Sequence, residues 1–302
     1  MIKYFRQHFW LLTVRLGLTN ALSDQNFARL LHCFWLGRKM RESPPVDYNE
    51  KLQWLKIHYR HPLMPICADK YGVREYVKER IGDKYLNECL GVYDNAEDIE
   101  FERLPGRFVL KCTHGSSWNI VCSDKSKMDW DREKSRLNRW LKTDFSHYGR
   151  EWQYHSIKPR IICEKFLVDD TCNDLRDFKL FTFQGETKYI WVEFKKDGRC
   201  LRNIYSTDWV FQRGKGSRIP TGMGDEIPKP ECLEEMLSLG RKLASQFPQC
   251  RVDFYVIGGK KIVFGELTFS SANGCNEFYP QSFNDELGGY INLGAIEKEY
   301  LI

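Results

Sequence analysis

Two acidic residues, Asp253 and Glu266, interrupt two segments near the end of the chain that are otherwise largely apolar. A Gly-Gly-Lys connector joins the segments, which predicts an antiparallel β-hairpin. A charge within a buried strand is costly unless it is paired or binds a cation. Two carboxylates that face each other across a hairpin suit Mg²⁺, which commonly uses one or two carboxylates together with nucleotide phosphates. The alternative is that both face solvent and pair with Arg251 or Lys261.

A second candidate site lies where a predicted strand carries Lys111 near its end and continues into a small, hydroxyl-rich turn. The lysine supplies a point charge, and Gly115, Ser116 and Ser117 would expose backbone N–H groups, which together suit phosphate oxygens. Neither a Walker A motif nor a Gly-x-Gly-x-x-Gly motif occurs, so an ordinary hairpin turn is the alternative. His114 is expected to be a turn or lid contact, since no second histidine stands at metal-ligand spacing.

Two further acid–base pairs lie in apolar strand segments. Glu164 and Lys165 are adjacent in the first segment. Asp177 and Lys179 are two residues apart and should therefore share one face of the next strand. Surface ion pairs are the commoner fate of such residues. The pattern alone leaves a binding role and a surface role open.

The elements that must position these residues change in type along the chain. The first forty residues predict two short amphipathic helices with Ser23 capping the second, and residues 47–102 are again helix-rich. From residue 107 onward, short strands joined by tight connectors dominate. The fold class is therefore α+β, with antiparallel hairpins, and an alternating βαβ fold with a parallel sheet is excluded.

The composition of the 302 residues, 42% hydrophobic and 29% charged, excludes disordered, collagen-like and coiled-coil proteins. The eleven cysteines are scattered without a Cys-x-x-Cys pair, which argues against zinc and predicts free thiols in a reducing cytoplasm. The apolar stretch at 9–14 is far shorter than the roughly 20 residues of a membrane span, and basic residues flank it too closely for a signal peptide. We therefore expect a protein that neither spans a membrane nor is secreted.

The net charge of +5 is concentrated in the first 41 residues, where seven basic residues stand against one acidic residue and the remainder sums to −1. Such a basic, aromatic-bearing arm indicates attraction to an anionic surface, either the inner leaflet of a membrane or an acidic polymer. Packing of the arm on its own domain is the alternative, because apolar residues at helical spacing usually mark a core. Nucleic acid is not expected as a partner, since no recognition module is present.

Taken in order, these segments resemble the ATP-grasp superfamily. FVLKCTHGSS (108–117) resembles the second-lysine strand and phosphate-covering loop of D-alanine:D-alanine ligases, IICEKFL (161–167) their adenine hinge, and CRVDFY (250–255) with FGELTFSSANG (264–274) their metal-binding hairpin. More closely, the chain resembles the TupA-like ATP-grasp family of bacterial surface-polysaccharide clusters. The segments that carry this resemblance are NEKLQWLK (49–56), ADKYGVREYV (68–77), LPGRFVLKCTHGSS (104–117), LRDFKLFTFQG (175–185) and VFGELTF (263–269). It covers about residues 45–295.

The resemblance implies an ATP-grasp fold, in which two α+β subdomains grip ATP behind an N-terminal helical arm. The expected limits are 1–46 for the basic amphipathic arm, 47–105 for a helical N-terminal part, 106–167 for the small subdomain and 168–302 for the large subdomain with the metal-binding hairpin.

An ATP site follows from the same resemblance. The implied cofactor-binding residues are Lys70, Lys111, His114, Gly115, Glu164, Lys165, Phe166, Leu167 and Asp177. Lys70 and Lys111 would contact the α- and β-phosphates, and Glu164 would lie beside the adenine amino group. The backbone of 165–167 would form the hinge, and Asp177 would hold the ribose or a lysine.

The implied metal ligands for Mg²⁺ are Asp253, Glu266 and Thr268. Thr268 stands where the superfamily commonly has asparagine, a better ligand, which leaves the number of metal ions open. The implied catalytic residues are Arg251, Lys179, Ser116 and Ser117. Since two facing carboxylates should repel each other without metal, we expect Asp253→Asn and Glu266→Gln to leave folding intact and stability equal or slightly higher.

The implied activity is that of an ATP-dependent carboxylate–amine ligase that forms an amide through an acyl-phosphate. It would act in bacterial capsule or exopolysaccharide biosynthesis, joining an amino acid or amine to a uronic acid, in the cytoplasm or at the inner face of the cytoplasmic membrane. A glycosyltransferase of the same pathway is one alternative, for which Asp129-Trp130-Asp131 offers a D-x-D motif, although it opens a predicted helix. A non-catalytic nucleotide-binding module is the other.

Overall fold

A computed structural model describes residues 2–41, 43–171, 174–222 and 225–302 of the chain. The α-helices within these ranges are α1 (Ile2–Arg15), α2 (Asp24–Leu36), α3 (Tyr48–His58), α4 (Leu63–Ala68), α5 (Val73–Ile81), α6 (Trp130–Leu141), α7 (Ser146–Gly149), α8 (Leu233–Ala244) and α9 (Gln281–Gly289). The strands are β1 (Cys89–Tyr93), β2 (Phe108–Cys112), β3 (Asn119–Cys122), β4 (Ile161–Lys165), β5 (Asp177–Phe183), β6 (Glu186–Lys196), β7 (Arg199–Tyr205), β8 (Gly216–Ser217), β9 (Cys250–Ile257), β10 (Lys261–Thr268) and β11 (Phe278–Tyr279).

A four-stranded antiparallel sheet has the strand order β1-β4-β2-β3. In β2, Phe108, Leu110 and Cys112 are buried and pack with Leu137 of α6, while the alternate positions are half-buried. Strand β1 differs from the helix expected in this region. Its five half-buried residues include Gly91 and carry no strong alternation, so the pattern gave no strand signal. The subdomain limits given above stay a prediction.

A five-stranded antiparallel sheet has the order β10-β9-β5-β6-β7 and contains the main core. Successive side chains of a strand point to opposite faces, and Leu180 of β5 points towards α8. There a Cβ on Gly240 would lie 2.7 Å from Leu180 Cδ2, so the helix approaches the sheet closely because this position is glycine. Asp177 and Lys179 therefore lie on the opposite face, together with charged residues of the neighbouring strands.

The N-terminal arm packs on the body through one face. Ser23 caps α2 as predicted, its hydroxyl accepting from the backbone of the first turn. Trp10 and Val14 of α1 are buried with Phe27 and Leu31 of α2 in a small apolar cluster that also includes a cysteine from the body. For this face of the arm, the packing interpretation is the one that the structure shows.

Two arginines join the end of the arm to α3. Arg38 Nη2 lies 2.7 Å from Asp47, and Arg41 Nε lies 2.9 Å from Glu50. Asp47 is the N-cap of α3 and Glu50 completes its capping box, and the side chains of both acids are fully buried. The arm thus supplies the counter-charges for two buried carboxylates.

Among the described residues, no helix combines the length and apolarity needed to cross a bilayer. The ten cysteines that the structure describes are free thiols, as predicted, and Cys172 lies outside the described residues.

Candidate active site

The β9–β10 hairpin brings the two predicted carboxylates face to face. Phe264 pairs with Phe254, but the register then shifts, so that Glu266 rather than Gly265 lies opposite Asp253. Without this bulge, the side chain of Glu266 would point to the other face of the sheet. A Cβ at Gly265 would lie 3.0 Å from the carbonyl oxygen of Asp253, so the bulge is accommodated because this residue is glycine.

Arg251 occupies the space between the two carboxylates. Its Nε donates to Asp253 Oδ1 at 2.7 Å, and its Nη2 donates to Asp253 Oδ2 at 2.6 Å and to Glu266 Oε1 at 2.9 Å. The Thr268 hydroxyl accepts from the same Nη2 and donates to Glu266 at 2.9 Å. Asp253 is 2% exposed and the Glu266 side chain 41%. The solvent-facing alternative is therefore wrong for Asp253, although the expected pairing with Arg251 is present.

Lys179 extends this network across β5. Its ammonium group donates to Asp253 at 2.9 Å and to Asp177, and lies 3.7 Å from Glu193. Burial raises the pKa of Asp177 to about 6; Lys179 opposes this shift and Asp253 adds to it. Asp177 Oδ1 is buried without a hydrogen-bond partner. This orphaned acceptor points to a group that would complete the site when bound.

Sequence analysis missed two charged residues of this face. Glu193 on β6 lies opposite Asp177, and Arg202 on β7 lies opposite Glu193 and forms an ion pair with it. Arg202 also donates to Ser217 and lies over the ring of Trp191 at 4.1 Å. Glu193 follows the apolar run of β6, the same signal that identified Asp253, and could have been found by it, whereas Arg202 lies in a strand with other polar residues and gave no such signal.

The four-stranded sheet contributes a second group of charges. Lys111 Nζ lies 2.6 Å from Glu164, which Arg74 also approaches at 3.5 Å. Lys70 donates to the carbonyl oxygen of Gly115 in the turn after β2. Burial lowers the pKa of Lys70, an effect that Glu266 opposes and Lys111 strengthens. Lys70 therefore feels charges of both sheets.

A cleft of about 440 Å³ lies between the two sheets. Its lining includes Val109, Lys111, Glu164, Lys165, Phe166, Leu167, Tyr255 and Phe264. A lining of apolar side chains together with charged groups is compatible with a small-molecule pocket, and the volume falls in the range of such sites. The predicted hinge residues and Lys111 therefore meet in one cleft beside the hairpin.

The turn after β2 is held by aromatic packing. His114 is buried, its Nε2 lies 3.1 Å from the carbonyl oxygen of Trp140, and its ring meets the edge of Trp118. Burial lowers the pKa of His114, although the Trp140 carbonyl opposes this, so the ring is neutral at pH 7. His114 is not among the residues that line the cleft, which fits the expected turn contact. Ser116 and Ser117 are exposed.

The D-x-D motif serves as a helix start. Asp129 is the N-cap of α6 and accepts from the backbone N–H of Arg132 at 3.1 Å. Asp131 lies in the first turn of the helix, where acidic residues are favoured. The geometry therefore explains the motif without a metal.

The chain belongs to the TupA-like ATP-grasp family, whose model matches residues 50–292. This match confirms the resemblance drawn from the sequence and, with the two antiparallel sheets, the ATP-grasp fold class. No curated protein matches the chain.

Several solved structures resemble it at low identity. The N5-carboxyaminoimidazole synthase of Aspergillus clavatus is 10% identical with a TM-score of 0.40, over 73% of this chain and 50% of that one. The D-alanine–D-alanine ligase of Helicobacter pylori is 12% identical with a TM-score of 0.44, over 83% and 68%. The corresponding ligase of Bacillus anthracis, complexed with ATP, is 15% identical with a TM-score of 0.42, over 80% and 72%. The chain spans about half the length of the synthase.

Proposed function

We propose that the protein is an ATP-dependent carboxylate–amine ligase that uses Mg²⁺ and forms an amide through an acyl-phosphate. One observation carries this proposal: a nucleotide-sized cleft is lined by Lys111 and Glu164 and by two residues of the hairpin on which Asp253 and Glu266 face each other. A lysine beside the cleft and hard carboxylates next to it are the groups that a nucleotide and its cation require.

The nucleotide would bind with its base in the apolar part of the cleft. There the backbone of 165–167 would meet the adenine edge, and Glu164 would accept from the adenine amino group. Lys111 would contact phosphate oxygens at the inner end, together with Lys70. The exposed Ser116 and Ser117 are free to cover the phosphates, because neither is buried in the turn.

The residues present suit Mg²⁺. The donor set on the hairpin is oxygen only, which matches the preference of a hard cation, and the buried Asp177 lacks a partner for one oxygen. Asp253 and Glu266 would hold the ion, and Glu266 is the more accessible of the two. The Thr268 hydroxyl is engaged with Glu266 and would orient it rather than act as a free ligand. When bound, Mg²⁺ supplies positive charge to the phosphoryl oxygens.

Arg251 and Lys179 would stabilise the transferring phosphoryl group electrostatically. Both donate to the buried Asp253, so the two cations lie on the same face of the sheet, where negative charge would develop. Arg251 would then stabilise the oxyanion formed when the amine attacks. No protein nucleophile is required for such chemistry.

For the biological role, we propose bacterial capsule or exopolysaccharide assembly, with an amino acid or amine joined to a uronic-acid carboxyl on the cytoplasmic side of the membrane. Its support is the resemblance to a family of surface-polysaccharide clusters and the basic arm, which suits an acidic, lipid-linked glycan. The glycosyltransferase alternative depended on the D-x-D motif, which helix capping by Asp129 already explains.

Calorimetric titration with ATP, in the presence and absence of Mg²⁺, tests the binding step. We expect Lys111→Ala to weaken ATP binding by at least about tenfold, which corresponds to about 1.4 kcal/mol of binding free energy. The matched control is Lys260→Ala, a lysine 69% exposed at the β9–β10 turn, and it should bind as wild type does. Equal affinity of the Lys111→Ala variant and wild type, or absence of Mg²⁺-dependent binding, would show that the site assignment is wrong.

A further inference from the structure

Helix α1 carries an exposed apolar stripe. Phe5, Phe9, Leu12 and Leu16 are 71%, 47%, 53% and 64% exposed. Their spacing of four, three and four residues puts them on one face of the helix. Leu16 directly follows α1, and its backbone N–H still donates to the carbonyl oxygen of Leu12; Leu18, further along, is also 67% exposed. Single exposed leucines are ordinary in proteins, but a contiguous stripe with two phenylalanines marks an interaction site.

The direction of the stripe is fixed by the opposite face of α1. Trp10 and Val14 are each 2% exposed, and the Trp10 ring meets Phe27 of α2 edge-on at 5.1 Å between centroids. Asp24 at the start of α2 forms an ion pair of 2.7 Å with Arg150 of the body. The helix therefore cannot rotate to bury its stripe without exposing this cluster.

The arm that carries the stripe is basic, with seven basic residues among the first 41. Arg15 lies next to Leu16 in the sequence and is exposed, as are Arg29 on α2 and Lys39 beyond it. The only acidic residue of the first 41, Asp24, is already paired with Arg150. An anionic surface would thus meet the apolar stripe on an arm whose basic residues outnumber its one acid, which is already paired.

We propose that this stripe inserts into the interface of an anionic lipid bilayer, with α1 parallel to the membrane plane. A short amphipathic helix with an apolar face bordered by arginines is typical of such interfacial helices. A second copy of this chain is the less favoured occupant, because it would bring two strongly basic arms together. Membrane binding by this stripe would extend the proposed location of the protein and depends on no catalytic step, so it can be tested separately from the ligase activity.

Co-sedimentation of the full chain with vesicles tests the proposal. We expect binding to phosphatidylglycerol vesicles at least about tenfold stronger than to phosphatidylcholine vesicles, and release as salt is raised. Phe5→Ser with Phe9→Ser should weaken binding by at least about tenfold. The matched control is Val210→Ser, which alters an apolar side chain that is 59% exposed elsewhere on the protein.

A second pair of variants tests the charges. Arg15→Gln with Arg29→Gln should weaken binding and flatten its salt dependence, whereas Lys260→Gln with Arg199→Gln, both exposed and outside the arm, should not. The charge variants should melt as wild type does, since the altered side chains are exposed, whereas the phenylalanine variant also loses the stacking of Phe9 on Phe34, so its fold is checked by a melting curve. ATP affinity should be unchanged, which separates this test from that of the ligase.

Three outcomes would overturn the proposal. Wild type could stay in the supernatant with phosphatidylglycerol at low salt. The double phenylalanine variant could bind as tightly as wild type. Sedimentation equilibrium could show a dimer that this variant dissociates, without vesicle binding, in which case a second copy covers the stripe.

Discussion

Asp253→Asn should destabilise the protein strongly, contrary to the expectation from sequence that removing a facing carboxylate would be neutral or slightly favourable. That expectation assumed repulsion between two carboxylates. In the structure, Arg251 lies between them, and Asp253 also accepts from Lys179 at 2.9 Å. The substitution therefore removes the central anion from a buried network of two cations.

The magnitude follows from what remains after the change. Removing one partner of a buried ion pair typically costs about 3–5 kcal/mol. Lys179 would keep Asp177 and Glu193, and Arg251 would keep Glu266, so we expect the lower end, about 3 kcal/mol. Burial alone would raise the pKa of Asp253, but Arg251 and Lys179 outweigh it and the net shift is downward. The stabilisation that ionised Asp253 contributes is therefore fully present above pH 3.8, the ordinary pKa of an aspartate. It is lost as pH falls through the lower pKa that Asp253 has in the folded protein.

Urea unfolding at pH 7, followed by the fluorescence of the nine tryptophans, measures this difference. The control is Glu266→Gln, whose side chain is 41% exposed and should cost less than about 1 kcal/mol. The network does not stabilise the fold as argued if the free energy of unfolding of Asp253→Asn lies within about 1 kcal/mol of the wild-type value. The same holds if the difference between the two free energies fails to shrink towards low pH.

Three other changes test the surroundings of the site. Burial raises the pKa of Glu151 to about 7 from 4.5, so the free energy of unfolding of the wild type should fall by about 3 kcal/mol as pH rises between these values. In Glu151→Gln, urea titrations should show that this fall is absent. At Gly115 a Cβ would lie 2.7 Å from a tryptophan ring, so Gly115→Ala should displace the turn and weaken ATP binding in calorimetry. Gly106→Ala, with open space around the residue, should leave ATP binding unchanged. Arg38→Gln with Arg41→Gln would leave the buried carboxylates of Asp47 and Glu50 with backbone hydrogen bonds but no cation, and urea unfolding should show a loss of about 3 kcal/mol.

The hairpin could be predicted from sequence because its signals are local. Asp253 and Glu266 interrupt apolar strands, and a Gly-Gly turn joins the strands, so a hairpin that brings the two residues near each other could be predicted. The bulge at Gly265 was not expected, although the facing depends on it. A one-residue shift reverses every side chain of a strand, and a single glycine gives little warning of it.

The ion-pair network could not be predicted, because it depends on strands far apart in sequence. Lys179 lies opposite Asp253 only because β5 pairs with β9. Periodicity identifies which residues share a face of one strand but does not tell which strand lies alongside it. Repulsion at Asp253 was therefore expected from the sequence. Glu193 could have been noticed as a charge within an apolar strand, but its position near Lys179 could not have been predicted.

The arm shows the same division between local and tertiary information. Its two helices and the cap at Ser23 were predicted from spacing and residue type. Which apolar residues face the body required the structure, since α1 has apolar residues on both faces. Trp10 is buried and Phe9, its neighbour, is 47% exposed.

The central claim is tested most directly by measuring ADP and amide together during incubation with Mg²⁺, ATP, sugar acids and amines. We expect wild type to release ADP only when a carboxylate and an amine are both present, with one amide formed per ADP. Glu266→Gln should slow this by at least about 10², the effect of removing one strong transition-state contact. ADP release that does not depend on the carboxylate would contradict the ligase assignment. So would ATP binding without turnover of any carboxylate and amine tested, if the protein consumes a sugar nucleotide instead.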